Sequence, residues 1–455
     1  MAASEEFIKT CTEQMRCKAM RSVVEEELIA HIEDQKEAYL QEGMEEEKAE
    51  LMAVKQMGDP IEIGTSLDRV HRPKMDWKTF GIILALAAAG LLVQAVMNRQ
   101  GIAIEQNHLS TYIKSTAVGM ALMVLICYLD YTILGKYPRT IWCIMTLLGA
   151  VIGLVTPRIN GTKRYGWFIM LLVVSYGGIV YYYRNQKIRG IFKALAWMAA
   201  GFGIVILCSQ GAPFGGAAKL WMFGSLVMLG FAVIKGWYGT KRWVGVLLLC
   251  APFAVCILMG ICILSFGTYQ ADRLRAMLNP EVYNMTFGFV PMALRQAFHN
   301  LKLFGASGNP ETDYLPYLAE PENYVMLWIE QNYGFAAGLF VVILLTLLAF
   351  LVVCGIRRQS NRLGMIVGVG SLFIFFVPVV VNVMMNTGYS WNTSCALPFI
   401  SMNGKENVCL YILMGLLLSV FRSQTTLPEP KAKPRIRSGL LFSAAFDKIE
   451  KHVDS

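Results

Sequence analysis

Residues 335–355 read FAAGLFVVILLTLLAFLVVCG, a run of twenty-one residues without a charged side chain. An α-helix of about 20 apolar residues is long enough to cross the roughly 30 Å hydrocarbon core of a bilayer. Arg357 and Arg358 follow the run almost at once. Basic residues just beyond an apolar helix are typical of its cytoplasmic end. The run therefore predicts a membrane-spanning helix.

Nine further apolar runs lie on either side of this one. The chain has 455 residues, of which 55% are hydrophobic and only 16% are charged, and this balance is typical of membrane proteins. We therefore predict an all-α, polytopic membrane protein of about ten transmembrane helices. The ten runs lie near residues 80–97, 116–134, 140–157, 166–183, 191–208, 219–235, 243–266, 335–355, 364–386 and 407–421.

Basic residues between the runs fall mainly in every second loop, which predicts that both chain termini are cytoplasmic. The loop 157–167, PRINGTKRYGW, is basic although this topology places it outside. The first 75 residues are polar and acidic, so we expect no cleavable signal peptide. The basic residues of the inner loops include Lys136, Arg139, Arg184, Lys187, Arg189, Lys193, Lys235, Lys241, Arg242, Arg357, Arg358 and Arg362.

Residues 1–75 differ in charge from the rest of the chain. They hold 17 acidic and 10 basic residues, whereas the remaining 380 residues have a net charge of +16. Such a split predicts a cytoplasmic acidic helical domain ahead of a membrane domain at 76–422. Ser22 and Glu25 have the spacing of a capping box at a helix start.

Turn residues divide this acidic domain into helices. Val24, Leu28, Ile32 and Tyr39 follow a helical stripe that Gly43 ends. A second helix runs to Met57, and Gly58-Asp59-Pro60 ends it and begins another, with Asp59 as N-cap. The stretch HIEDQKEAYLQEGMEEEKAELMAVKQMGDP resembles the small prefix domain found ahead of permease-like bacterial proteins. Both a plain solvated bundle and a docking module fit this pattern.

Two polar regions flank or interrupt the membrane domain. The tail 423–455 is a Pro/Lys/Arg linker followed by GLLFSAAFDKIEKHV, which fits either an inner-leaflet contact or a solvated tail. The long loop 267–332 does not cross the membrane, and long loops in compact domains are often functional. It carries seven of the fifteen acids outside the first domain: Asp272, Glu281, Glu311, Asp313, Glu320, Glu322 and Glu330.

The motifs of soluble enzymes are missing. The chain has no G-x-S-x-G, no Walker loop, no H-E-x-x-H, and its eleven cysteines form no CxxC pair. We therefore expect no protein metal site and no nucleic-acid partner.

Four outward stretches, taken in order, carry a family resemblance. They are NGTKRYGW (160–167), ADRLRAMLNPEVYNMTFGFVPMALRQAF (271–298), LFGASGNPETDYLPYLAEPENYVMLWIEQNYGF (303–335) and CALPFISMNGKENVCLYILMGLLLSVFR (395–422). Their order and spacing resemble the SEDS family over roughly residues 76–422. The resemblance implies a protein of the bacterial cytoplasmic membrane that polymerises undecaprenyl-linked lipid II at the outer face, usually with a class B penicillin-binding protein.

The implied reaction explains which residues the site needs. A sugar hydroxyl attacks an anomeric carbon whose leaving group is a lipid pyrophosphate, so a carboxylate is wanted as general base and cations opposite the pyrophosphate. A divalent cation could also bind the pyrophosphate. The alternative role for the basic residues is that they contact only lipid head groups. The candidate cations are Arg158, Lys163, Arg164, Arg273, Arg275 and Lys405.

The expected general base is absent. The resemblance implies an Asp eleven residues ahead of Gly334-Phe335, and this position is Asn323. An amide does not accept a proton near neutral pH, so either Glu322 or Glu320 has become the base or the site no longer polymerises. Two other family motifs are altered, at CSQGAP (208–213) and SMNGKE (401–406).

Three functional hypotheses remain open. The chain is a glycosyltransferase-like protein that handles lipid II, or a non-catalytic scaffold or regulator of a penicillin-binding protein, or a lipid or solute transporter. The last is weaker because we find no internal repeat of the kind that transporters show.

Overall fold

The computed structural model describes residues 2–16, 18–71, 73–100, 108–159, 162–163, 166–208, 216–265, 269–283, 285–307, 323–389 and 395–423. Within these ranges the chain is helical apart from turns and one short ladder. That ladder pairs β1 (Arg158–Ile159) with β2 (Thr162–Lys163) in antiparallel fashion. The all-α prediction is confirmed.

The acidic first domain consists of four helices with their own hydrophobic core. They are α1 (Ala2–Glu13), α2 (Lys18–Gln41), α3 (Glu46–Met57) and α4 (Pro60–His71). The predicted stripe on α2 is confirmed, because Val24, Leu28 and Ile32 are buried in this core. The core also contains Phe7, Ile8, Cys11, Met15, Met20 and Ala53.

The observed ends of these helices can be compared with the predicted ones residue by residue. Gly43 and Gly58 have positive φ angles of 88° and 96°, as expected of residues that end a helix. Asp59 Oδ1 accepts the N–H of Ile61 at 3.1 Å, which confirms Asp59 as the cap of α4. The capping box at Ser22 is wrong, because α2 begins at Lys18 and Ser22 lies inside it. Helix α1 lies ahead of that point and was not predicted.

Each of the ten predicted runs overlaps a helix, and nine of them follow that helix closely. In chain order the helices of the membrane part are α5 (Trp77–Arg99), α6 (His108–Cys127), the single turn α7 (Ile133–Lys136), α8 (Pro138–Val155), α9 (Gly166–Tyr182), α10 (Lys187–Cys208), α11 (Gly216–Ile234), α12 (Arg242–Ser265), α13 (Tyr269–Leu278), a 3₁₀ turn (Pro280–Tyr283), α14 (Phe289–His299), α15 (Val325–Tyr333), α16 (Phe335–Arg358), α17 (Arg362–Asn386) and α18 (Gly404–Arg422). Among the described residues, eight of these helices are long and apolar enough to cross a membrane. The apolar helices α9 and α12 complete the ten.

The second predicted run, 116–134, is misplaced. Helix α6 spans residues 108–127 instead, and the chain then turns. Asp130 makes this turn, because its carboxylate accepts the N–H of Thr132 at 2.8 Å and its hydroxyl at 2.7 Å. An acid that bonds its own local backbone favours a turn over a helix interior, so the apolar residues after Asp130 belong to α7.

Helix α9 lies at the centre of the membrane domain. It packs against α8, α11, α17 and α18, and nearly all its residues between Phe168 and Tyr181 are buried. A helix that is apolar all round is either buried in protein or exposed to lipid, and the burial of α9 shows that neighbouring helices cover it. Helix α18 also packs along α6.

The described part of the connection from α17 to α18 includes a buried turn at Leu397–Ser401. Phe399 has a φ of +64°, an uncommon conformation for a residue with a side chain. The hydroxyl of Tyr112 donates to the carbonyl of Phe399. The amide of Gln94 donates to the carbonyl of Ile400 at 2.8 Å. Polar side chains from α5 and α6 thus satisfy backbone carbonyls that no helix satisfies.

The joint between α15 and α16 requires glycine, which leads to a first prediction. Gly334 has a φ of +97°, and a Cβ there would lie 2.7 Å from Leu303 O and from Phe304 Cα. We expect Gly334→Ala to lower the free energy of unfolding by about 2 kcal/mol through strain and backbone clash. Thermal unfolding of the detergent-solubilised chain measures this. Gly81→Ala is the control, since no atom lies within 4 Å of that Cβ position, and equal losses in both variants would contradict the prediction.

Candidate functional site

Asn323, the position of the expected family Asp, lies at the buried junction of α15 and α17. Its exposed fraction is 4%. Its backbone carbonyl accepts hydrogen bonds from Asn382 Nδ2 at 3.0 Å and from Asn386 Nδ2 at 3.2 Å. Two donors on one carbonyl hold this backbone in place.

The same two asparagines connect three segments of the chain. Asn386 Oδ1 accepts the N–H of Leu327 at 3.2 Å, which satisfies one of the free donors at the N-terminus of α15. Asn382 Nδ2 also donates to the carbonyl of Cys395 at 2.6 Å. Asn386 Nδ2 donates in turn to Asn382 O at 2.8 Å. We call Asn323, Asn382 and Asn386 the asparagine network; it joins α15, α17 and the start of the turn before α18.

Sequence reasoning identified Asn323 but missed its two partners. A signal was present, because Asn382 and Asn386 are four residues apart in an otherwise apolar run, and that spacing puts both on one face of a helix. Polar residues within a membrane span generally face the protein interior and mark function. What the spacing does not show is that this face meets residue 323.

Glu330 is another residue that sequence reasoning did not put forward as a site candidate. It lies on the short helix α15, outside the candidate spans, and only 4% of it is exposed. Its side chain packs against Gly338, where a Cβ would lie 2.4 Å from Glu330 Cγ. Burial raises the pKa of Glu330 to about 7. Within the described residues this carboxyl group has no hydrogen-bond donor or basic partner.

Arg273 and Lys405 are each brought next to another polar or aromatic side chain. The guanidinium of Arg273 is close enough to Lys219, in the first turn of α11, for the two charges to interact. Lys405 Nζ, at the start of α18, lies 5.9 Å from the centre of the Trp167 ring, at the start of α9. Lys219 was missed, although a lysine in an apolar run is a visible signal.

Lys219 and Glu406 both lie near Cys395. Burial raises the pKa of Cys395 to about 12, the Glu406 carboxylate also raises it, and Lys219 acts in the opposite direction. This end of the domain therefore holds charges of both signs near Cys395, next to the asparagine network. Cys395 has a structural role, because its thiol donates a hydrogen bond to the carbonyl of Pro378 at 3.5 Å.

The other predicted site residues are described by the structure in part only. Arg275 pairs with Asp272 on its own helix at 3.1 Å, so its charge is partly neutralised locally. Arg158 and Lys163 are backbone partners across the β1–β2 ladder. Arg164, Glu320 and Glu322 lie outside the described residues. In the described ranges no three His, Cys, Asp or Glu residues are grouped to hold a metal ion.

Comparison with known proteins identifies the family to which the chain belongs. Residues 75–426 match the model of a family described as cell cycle proteins of the FtsW, RodA and SpoVE type. The chain belongs to this family, the SEDS family. It is accordingly a multi-pass membrane protein, and the resemblance predicted from its sequence is confirmed.

Individual relatives are distant. Stage V sporulation protein E of Bacillus subtilis (strain 168) is 25% identical over 155 residues, which is 34% of this chain and 42% of that protein. A probable peptidoglycan glycosyltransferase FtsW of Trichlorobacter lovleyi is 26% identical over 156 residues, 33% and 40% of the two chains. A probable peptidoglycan glycosyltransferase FtsW of Thioalkalivibrio sp. (strain K90mix) is 28% identical over 321 residues, 66% and 77%. The matched segment thus spans about two-fifths of the first two relatives.

Solved structures show the same fold. One chain of a peptidoglycan synthase complex, studied for the coordination of polymerization and crosslinking, superposes with a TM-score of 0.62 at 19% identity. The rod shape determining protein RodA of Thermus thermophilus superposes with a TM-score of 0.53 at 15% identity. Each alignment covers 77% of this chain and 98% of the other.

The asparagine network yields a prediction about stability. Asn386→Ala leaves the Leu327 N–H without its acceptor and removes one donor from the Asn323 carbonyl. Buried polar groups without partners cost about 1–3 kcal/mol each, so we expect a clear fall in the melting temperature of the solubilised protein. The control is Asn332→Ala, because Asn332 makes one half-buried bond, to Trp328 O at 2.9 Å. A control loss as large as the Asn386 loss would show that the network does not stabilise this joint.

Glu330 yields a prediction about pH. Because its folded-state pKa is raised to about 7, the folded protein binds this proton more tightly than the unfolded chain does. Stability therefore falls as pH rises from about 5 to 8, by about 2 kcal/mol. Glu330→Gln removes this slope, and its melting temperature should exceed that of the natural protein most at pH 8. The exposed Glu281→Gln is the control, and parallel pH profiles for all three proteins would refute the prediction.

Proposed function

We propose that this chain is a SEDS-type cell-wall protein that holds undecaprenyl-linked lipid II at the outer face of the bacterial cytoplasmic membrane, with both termini cytoplasmic. The observation that carries the proposal is the family match over residues 75–426, which includes the whole membrane domain. Two of its relatives are named probable peptidoglycan glycosyltransferases. This supports a glycan precursor as the ligand.

The chemistry at position 323 decides what the protein does with that ligand. Polymerisation forms a bond between a sugar oxygen and an anomeric carbon, breaks the bond to the lipid pyrophosphate, and moves the hydroxyl proton to a base. An amide cannot take this proton. We therefore propose that the protein binds lipid II without polymerising it through residue 323.

The cations near the asparagine network support the proposed binding of lipid II. The pyrophosphate carries negative charge that Arg and Lys side chains stabilise. Among the described candidates, Arg273, which has Lys219 next to it, and Lys405 support this role best. Arg158, Lys163, Arg164 and Arg275 keep the same proposed role.

Two roles are compatible with precursor binding, and the substitution at residue 323 favours the second. In the first, Glu322 or Glu320 has become the general base and the protein is an active glycosyltransferase. In the second, the protein is a pseudoenzyme that acts as scaffold or regulator of a class B penicillin-binding protein. The structural neighbour from a peptidoglycan synthase complex supports a partner of this kind.

A polymerisation assay separates the two roles. Purified full-length protein is incubated with labelled lipid II, and the natural protein, Asn323→Asp and Glu322→Gln are compared. We expect the natural protein to make no polymer above background. Asn323→Asp should make at least ten times the background amount, because the aspartate restores a base at a backbone position that is already held.

Lipid II binding is measured on the same preparations. Tight binding by the natural protein without polymer supports the scaffold role. Polymer from the natural protein that disappears in Glu322→Gln supports the enzyme role instead. Absence of lipid II binding in all three proteins would overturn the proposed function.

A further inference from the structure

A basic and aromatic cluster lies at the opposite end of the domain, where α8 begins, α9 ends and α10 begins. Its members are Arg139, Tyr182, Tyr183, Lys193 and Trp197, and we call it the Arg139 cluster. The Arg139 guanidinium lies 4.6 Å from the centre of the Tyr182 ring and 5.4 Å from that of Tyr183. Cations over aromatic rings are held by the ring quadrupole. The arginine therefore has a defined position.

Tyr183 is the polar centre of this cluster and is 4% exposed. Its hydroxyl oxygen accepts from Arg139 Nη2 at 2.9 Å and from Trp197 Nε1 at 3.1 Å. A phenol that accepts two bonds still has its own O–H to donate, and no described residue accepts it. Lys193 Nζ lies 5.5 Å from the centre of the same ring.

The cluster is positively charged and lacks a carboxylate partner within the described part of the chain. Arg139 and Lys193 form no ion pair there, and Lys193 Nζ donates instead to the neutral amide oxygen Oε1 of Gln186 at 3.0 Å. The Nε–H of Arg139 is buried and no described group accepts it. A buried donor without an acceptor costs about 1–3 kcal/mol, which an anionic ligand with several oxygens would recover.

Apolar side chains beside the cluster indicate the kind of anion. Ile188 and Phe192, on the first turns of α10, are 43% and 55% exposed. Because α8, α9 and α10 are apolar helices that begin or end at this level, these two side chains lie at the boundary between hydrocarbon and head groups. A free phosphate would use the cations alone, whereas a phospholipid would also cover the apolar surface.

We propose that the Arg139 cluster is a binding site for the phosphate headgroup of an anionic phospholipid. Arg139 and Lys193 contact the phosphate oxygens, the Tyr183 hydroxyl donates to one of them, and an acyl chain lies along Phe192. The site does not depend on the proposed function, since it lies at the other end of the membrane domain.

Lipid titration of the purified full chain tests the site. Phosphatidylglycerol is added to protein in a neutral detergent, with phosphatidylcholine as a second lipid, and bound lipid is counted by native mass spectrometry. The variants are Arg139→Gln and Tyr183→Phe, and Lys241→Gln is the matched control, because it removes one exposed charge from the same set of loops. We expect one saturable phosphatidylglycerol per chain, bound at least tenfold more weakly by both variants and within twofold of normal by the control.

Tyr183→Phe keeps the aromatic ring under Arg139. It therefore tests phosphatidylglycerol binding by the cluster even if Arg139→Gln does not fold. Equal weakening by Lys241→Gln would show that general charge binds the lipid and would overturn the site. Equal binding of phosphatidylcholine would overturn the preference for an anion. Full competition by millimolar inorganic phosphate would show that the ligand is a soluble phosphate and not a lipid.

Discussion

The absence of water from the bilayer interior is the constraint on which this structure depends. Backbone N–H and C=O groups there must be satisfied by the protein itself, so a break in helical geometry inside the domain needs groups that complete the hydrogen bonds. Gln94 and Tyr112 do this for the turn at Leu397–Ser401. Asn386 does it for the start of α15. These interrupted segments meet at the end of the domain where the candidate site lies.

This constraint also explains why the backbone at residue 323 is hydrogen-bonded by side chains. The carbonyl of Asn323 is held by two amides, and these amides are held in turn by other backbone groups. A residue fixed in this way keeps its position when its side chain changes from carboxylate to amide. The proposed role, precursor binding without polymerisation, is consistent with this arrangement, because the backbone at residue 323 is held by bonds that do not involve its own side chain.

The two ends of the membrane domain use their polar residues differently. Near residue 323, charges of both signs surround buried amides, which suits a ligand with a sugar and a pyrophosphate. At the Arg139 cluster the charges are of one sign and are stacked on aromatic rings, which suits a lipid headgroup at the membrane surface. The spans between them provide the apolar packing, with α9 at the centre.

Composition and spacing alone determined that this is an all-α membrane protein of about ten apolar helices, because burial in hydrocarbon requires long uncharged runs wherever the chain crosses. The position of Asn323 came instead from the family resemblance, which implies an Asp eleven residues ahead of Gly334-Phe335. The run at 116–134 and the capping box at Ser22 were misread, since each depended on a turn or a preceding helix that local pattern does not distinguish. Only the tertiary structure decided that Asn382 and Asn386 hold residue 323, that Arg275 pairs with Asp272, and that Glu330 is buried against Gly338. Those contacts depend on which helix faces pack together, and the packing of distant helices is a property of the whole chain.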